Sequence, residues 1–351
     1  MKFVVRVAFA VAFFFSLVSL QAFAAEPVVN TDQIVANHLN SIGPEAVRTG
    51  GQGRVAEGAA QFRILTGGSA TIDGKSVLVS TGRKFQFMMK FPNTDYHGER
   101  IVFDGDRVQI AGATAQQARS IFGEFIRTQD VIIREGLLGG VLSTSWPLLN
   151  LGDRKAKLSY DGLKMIDGKK LIDLRYKPKK DSDMDIHLYF EPDTYRHVKS
   201  VYTMSIRAGI AKAGFGDVPT PGKGEVDITS APIAPSTSET ASARQNETRY
   251  RIEESFGDFK TTDGVTMPTQ YVLKYTQELQ NGRTNLWEWD MSEKQISNNV
   301  SLDPRNFEVK WVCCCIISNN LFVRSQSHHS SYRWRGYHES RIPEREYQLN
   351  N

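Results

Sequence analysis

Cysteine is missing from the first 312 residues of this 351-residue chain; all three stand together as Cys313-Cys314-Cys315. No disulfide framework can hold the body, so its stability has to come from its own apolar core. Adjacent cysteines also lack the spaced pairs of a tetrahedral zinc site. An excess of one charge is equally lacking. Of 43 basic and 39 acidic side chains, two basic ones fall in residues 1–24, and five basic and three acidic ones fall in 311–351. That leaves residues 25–310 with 36 of each. A neutral body excludes a basic nucleic-acid surface and electrostatic docking on an anionic membrane. Catalytic signatures are absent as well: there is no G-x-S-x-G elbow, H-E-x-x-H, P-loop, or G-x-G-x-x-G after a strand. The body holds four histidines. His38 on a helix and His187 on the wet face of a strand are expected to be solvated, and His97 and His197 fall in turn regions. The chain is therefore read as non-enzymatic, with no catalytic residue, no cofactor and no metal.

A long apolar run occurs only at the start. Lys2 and Arg6 precede the apolar residues 7–18, and Ala22-Phe23-Ala24 supplies small side chains for cleavage. This is the pattern of a secretory signal peptide, 1–24, cleaved near Ala24; the run is shorter than the ~20 residues of a spanning helix. Residues 25–310 are expected to form one soluble periplasmic domain.

Within that domain one helix opens the chain. Thr31 can cap it, Asp32 suits its positive end, and Ile34, Val35, Leu39 and Ile42 form its apolar stripe before Gly43. From Ala60 the period shortens to two. Phe85, Phe87, Met89 and Phe91 alternate with polar or exposed neighbours, as do Ile172, Leu174 and Tyr176, then Met184, Ile186, Leu188 and Phe190. Val198, Tyr202, Met204 and Ile206 continue the alternation, followed by Tyr271, Leu273 and Tyr275. This is an antiparallel sheet with one dry and one wet face. Asp73-Gly74, Asp104-Gly105, Asp161-Gly162, Asp167-Gly168, Asp263-Gly264 and Asn281-Gly282 are hairpin dipeptides, and they predict a curved meander of nine to eleven strands. A helix is expected over 113–127, carrying Ala118, Ile121, Phe122 and Phe125. The apolar stretch 137–149 is interrupted by Pro147. Residues 215–246, rich in Gly, Pro, Ser, Thr and Ala, read as a mobile loop. Residues 311–351 follow neither period and read as an anomalous, disordered tail.

The dry face is rich in aromatic and flexible side chains, and few helices are available to cover it. An uncovered concave face would leave an apolar cavity suited to acyl chains. Its candidate walls are Phe85, Phe87, Met89, Phe91, Ile101, Phe103, Ile186, Leu188, Met204 and Trp287, with Met184, Phe190, Tyr202 and Trp289 beside them.

Phe87-Met88-Met89-Lys90-Phe91-Pro92-Asn93, followed by Ile101-Val102-Phe103-Asp104-Gly105-Asp106-Arg107-Val108, resembles the outer-membrane lipoprotein-sorting family (LolA/LolB-like). Residues 169–177 and 183–190, Pro192-Asp193-Thr194 and residues 197–206 resemble the second half of that family. The resemblance implies an incomplete β-barrel of α+β, mainly β, class, covered by a few helices. It also implies a periplasmic carrier or sensor of lipoprotein acyl chains or another lipid, with envelope transport proteins as possible partners and a monomeric state. One departure is Phe91, which stands where the carrier branch has a cavity-controlling arginine after the lysine of K-x-P-N; the 215–246 insertion is another. They favour a relative with different cargo. The alternative is a non-catalytic cell-envelope structural or interaction protein whose sheet is fully packed.

Overall fold

The computed structural model describes residues 30–49, 53–66, 71–114, 119–180, 182–207, 247–309 and 323–324. The signal-peptide, 215–246 loop and most of the tail expectations lie outside these residues. Twelve strands build one antiparallel sheet. They are β1 (Arg54–Ile64), β2 (Thr71–Thr81), β3 (Lys84–Lys90), β4 (Gly98–Phe103), β5 (Val108–Gly112) and β6 (Lys157–Ile166). β7 (Lys169–Lys177), β8 (Asp185–Phe190), β9 (His197–Arg207), β10 (Glu247–Thr262), β11 (Val265–Glu278) and β12 (Thr284–Asn298) complete it. The spatial order is β5-β4-β3-β2-β1-β12-β11-β10-β9-β8-β7-β6, so two meanders meet where β1 pairs with β12. β5 and β6 end this order without pairing to each other, and the sheet is an open half-barrel.

Its curvature follows from one contact. Phe87 on β3 and Tyr271 on β11 are four strands apart, about 19 Å in a flat sheet. Their ring centroids nevertheless lie 6.0 Å apart. Only a sheet that wraps strongly around its dry face can bring them together.

That concave face is covered by α1 (Thr31–Ile42), which is followed by α2 (Glu45–Thr49), and by the chain between β5 and β6. The latter contains α3 (Ile121–Thr128), α4 (Val131–Arg134), two 3₁₀ turns (Gly140–Leu142 and Pro147–Asn150) and α5 (Leu151–Arg154). Ile34, Val35 and Ile42 of α1, Phe122, Phe125 and Ile126 of α3, and Leu137, Leu142, Trp146 and Leu148 of the segment after α4 all join the strands' apolar residues in one core. Each large apolar side chain so buried contributes on the order of 1.5–3 kcal/mol. On the convex side Val55, Val77, Val79 and Val102 are capped by Phe307. A two-residue ladder pairs β13 (Ser301–Leu302) with β14 (Val323–Arg324).

Several expectations need correction. The sheet has twelve strands rather than nine to eleven. Asn30, not Thr31, caps α1, its side chain accepting from the Asp32 amide at 2.9 Å. The helix expected from 113 starts at Ile121, where Ser120 accepts from the Gly123 amide; Ala113 ends the β5 region instead. Two of the six Gly dipeptides are not turns. Asp73-Gly74 sits inside β2, where the missing side chain admits the Phe91 ring, and Asp161-Gly162 forms a bulge in β6. Asp167-Gly168 and Asp263-Gly264 do have positive φ at both positions, as a type I′ turn requires.

Candidate functional site

The segment between α4 and α5 is tied to the sheet by polar side chains that are themselves buried. Glu254 on β10 accepts from the Gly139 amide at 2.7 Å and from the Tyr202 and Tyr271 hydroxyls at 2.6 and 2.7 Å. Burial still pushes its carboxyl up to about 7, against the pull of those three donors. Arg54 on β1 donates to the Val141 carbonyl at 2.6 Å and to Asn298 at 2.8 Å. The Thr144 amide donates to Ser80 Oγ at 2.9 Å.

His38 supplies a further tie. The Trp146 indole can only donate, so His38 Nε2, 3.0 Å away, must accept. The imidazole proton then sits on Nδ1, which donates to the Tyr195 carbonyl at 3.0 Å. Burial pushes this histidine down to about 4 and keeps it neutral. The sequence expectation of a solvated His38 is thus corrected: it lies four residues from both Ile34 and Ile42, on the same buried stripe.

Where this cover ends, the concave face opens into a cleft of about 510 Å³. Its floor and walls are Phe62 and Ile64 of β1, Ile72 of β2, Tyr96, Ile121 and Phe122 at the start of α3, and Trp287 and Trp289 of β12. Thr71, Asn93, Asp95 and Ser120 supply the polar groups. The aromatic rings hold one another in place. Phe62 lies 4.2 Å from Tyr96 and 5.4 Å from Trp289, and Phe122 lies 4.8 Å from Trp289, centroid to centroid. Trp289 Nε1 donates to the Tyr96 hydroxyl at 2.9 Å, so the indole's polar atom is satisfied inside an apolar wall. Asn93 accepts from the amides of Asp95 and Tyr96, fixing the turn that carries the rim. A few hundred Å³, mostly apolar with a few polar groups, is the usual form of a small-molecule site.

The ten residues expected to wall a cavity divide unequally. Phe85, Phe87, Met89, Phe91, Ile101, Phe103, Ile186 and Leu188 are buried in the packed core and line neither this cleft nor a second one. Trp287 lines the cleft. Met204 lines the second opening, about 420 Å³, among Asp183, Asp185, Arg249, Arg251 and Glu278, a charged rather than a greasy setting. Sequence reasoning missed Phe62, Ile64, Ile72, Tyr96 and Phe122 as site residues. Their signal was weak: four lie near strand or helix ends and Tyr96 in the turn between β3 and β4, where alternation is too short to read. The Trp-x-Trp of 287–289 was the one visible clue.

A separate cluster sits on β6, β7 and β8. His187 bonds Asp173 through Nδ1 at 2.7 Å and Asp185 through Nε2 at 3.2 Å, and Asp161 pairs with Arg175 at 3.1 Å. Asp161, Asp173 and His187 bring three ligand atoms within 4.8 Å of one another, so they are the described residues able to hold a metal. The Asp173 hydrogen bond raises the His187 pKa, and the Arg175 guanidinium already pairs with Asp161 and lies 3.5 Å from Asp185. A serine–histidine hydrogen bond, Ser200 to His197 at 3.0 Å, is fully buried and beyond the reach of a substrate.

Fold and cleft together define an open antiparallel half-barrel with a covered concave face and an aromatic cleft at one end. No family model and no curated protein matches the chain. It is similar to solved structures of LolA-like proteins. A Vibrio parahaemolyticus domain with an outer-membrane lipoprotein-sorting designation is 10% identical with a TM-score of 0.39, covering 79% of this chain and 97% of its own. A LolA superfamily protein from Nitrosomonas europaea is 11% identical with a TM-score of 0.38, covering 81% of this chain and 100% of its own. A DUF1329 family protein from Desulfovibrio piger is 12% identical with a TM-score of 0.38, covering 79% and 96%. Among the described residues no helix is long and apolar enough to cross a membrane.

Proposed function

We propose that this protein is a non-catalytic periplasmic carrier or sensor that takes the acyl chain of a lipid or lipoprotein into the aromatic cleft. The observation that supports this is the cleft itself: about 510 Å³ bounded by Phe62, Tyr96, Phe122, Trp287 and Trp289 at the open end of the concave face. The site is smaller than a cavity running under the whole sheet, so a single chain enters, lying across the rings with its head toward Ser120 at the start of α3. The domain spans 25–310, works as a monomer and needs neither cofactor nor metal. Lipid extraction and mass spectrometry of the purified protein should recover an acyl lipid, and Ile72→Trp, which fills the cleft, should lose it. No recovered lipid, together with no uptake of a fluorescent long-chain probe, would defeat the proposal.

A second reading has an observation of its own. In the middle of the concave face Phe85, Phe87, Met89 and Ile101 are all buried within one continuous apolar core. That packing favours an envelope structural or interaction protein, and such a protein would keep its partners after Ile72→Trp.

A further inference from the structure

Glu99 stands apart from the other buried carboxylates. Glu254 accepts three hydrogen bonds, Asp173 holds His187, Glu288 pairs with Arg63 and Lys274, and Glu293 accepts one long bond from Ser76 at 3.4 Å, its other oxygen unmet. Glu99 is 0% exposed, yet neither of its oxygens has a hydrogen-bond partner among the described residues. A buried acceptor left unmet costs its full desolvation, so a purely structural position would be better served by an apolar side chain. The site nevertheless makes room for it. A Cβ on Gly123 would lie 2.6 Å from Glu99 Oε2, so the glycine in α3 leaves the carboxyl its space.

The surroundings say what the group faces. Glu99, the second residue of β4, follows Tyr96 by three residues; burial raises the tyrosine's pKa, and the nearby Glu99 adds to that rise. Ser120 pulls on the carboxyl without meeting hydrogen-bond geometry, and Phe122 adjoins Gly123. Tyr96, Ser120 and Phe122 all line the aromatic cleft. An unmet acceptor thus lies directly behind three wall residues of the one apolar cleft described above.

We propose that Glu99 receives the head group of the bound amphiphile, so that the preferred ligands carry N–H donors on a cationic head, as alkylamines and aminolipids do, rather than an anionic head. This rests on the carrier reading and specifies its ligand class. The tail lies on the Phe62–Trp289 face, and the head displaces the Ser120 end of α3 to reach the carboxylate. Above about pH 7, where the buried Glu99 carboxyl is ionised, an anionic head would meet it as a like charge.

Isothermal titration of the full chain at pH 8 with decylamine, decanol and decanoate, each below its micellar concentration, tests the assignment. Decylamine should bind at least about tenfold tighter than decanoate, in keeping with a charge-assisted hydrogen bond. Glu99→Gln should erase that preference and leave decanol within about threefold. Equal affinity for decylamine and decanoate in the unaltered protein overturns the proposal, whether or not the variant folds. An amine preference that survives Glu99→Gln overturns it too. Failure of all three ligands, decanol included, overturns the carrier reading itself and this assignment with it.

Discussion

At the scale of single residues, the same chemistry has opposite consequences at two places on one face. Met89 is 0% exposed in the closed core, whereas Ile72 borders the cleft. Met89→Trp is expected to overpack the core and lower stability by ~1–3 kcal/mol. Ile72→Trp has room to turn into the cleft and should stay within about 0.5 kcal/mol, as expected away from packed features. Urea denaturation of both variants checks the contrast, and equal losses would show that the cleft is not open. The alternation that marked Met89 as inward-facing was readable because each strand repeats it several times. His38 was misjudged although its spacing from Ile34 and Ile42 was visible. A histidine's partners, here Trp146 and the Tyr195 carbonyl, come from far along the chain, so nothing local says that it will be satisfied.

At the scale of elements, the covering segment depends on few, strong ties. Arg54 is buried, and burial lowers its pKa to about 10. Arg54→Met keeps most of the side-chain volume but leaves the Val141 carbonyl without its donor, at a cost of ~1–3 kcal/mol. The loss should appear locally. Amide hydrogen exchange of residues 137–148 is expected to quicken, with β11 unchanged; uniform protection across the segment would count against the tie. The strands and α1 were legible because periodicity is a property of neighbours in sequence. The start of α3 was not, since the apolar residues before it continue a helical pattern that Ser120 cuts short by capping the Gly123 amide. Asp161-Gly162 misled for a related reason: a bulge and a turn use the same glycine freedom.

The whole molecule should respond to pH in a direction set by its buried groups. Burial raises Glu99, Glu254 and Glu293 to about 7 from 4.5. The stability that each protonated carboxyl contributes is complete below 4.5 and is lost as pH rises through 7. His38, lowered to about 4 from 6.5, runs the other way and loses stability as pH falls below 6.5, and burial lowers His197 in the same sense. His187, raised by Asp173, shares the carboxyls' direction. Between about pH 6.5 and 7.5 the three raised carboxyls outnumber the two lowered imidazoles, whose unfolded forms are giving up their last protons, so the urea midpoint should fall there, and less steeply in Glu99→Gln. A midpoint that climbs over that interval contradicts this balance. The curved antiparallel sheet was legible in its alternating strands and the open barrel only in the family resemblance, but the cleft was in neither, because residues 62, 96, 122 and 289 meet only after the sheet has curled. That curl has a mechanical consequence. The chain leaves the sheet at one free rim, β5, and re-enters at the opposite rim, β6, so the stretch between them works like the string of a bent bow. The string spans the middle of the bow and stops short at its α3 end, which borders the open cleft.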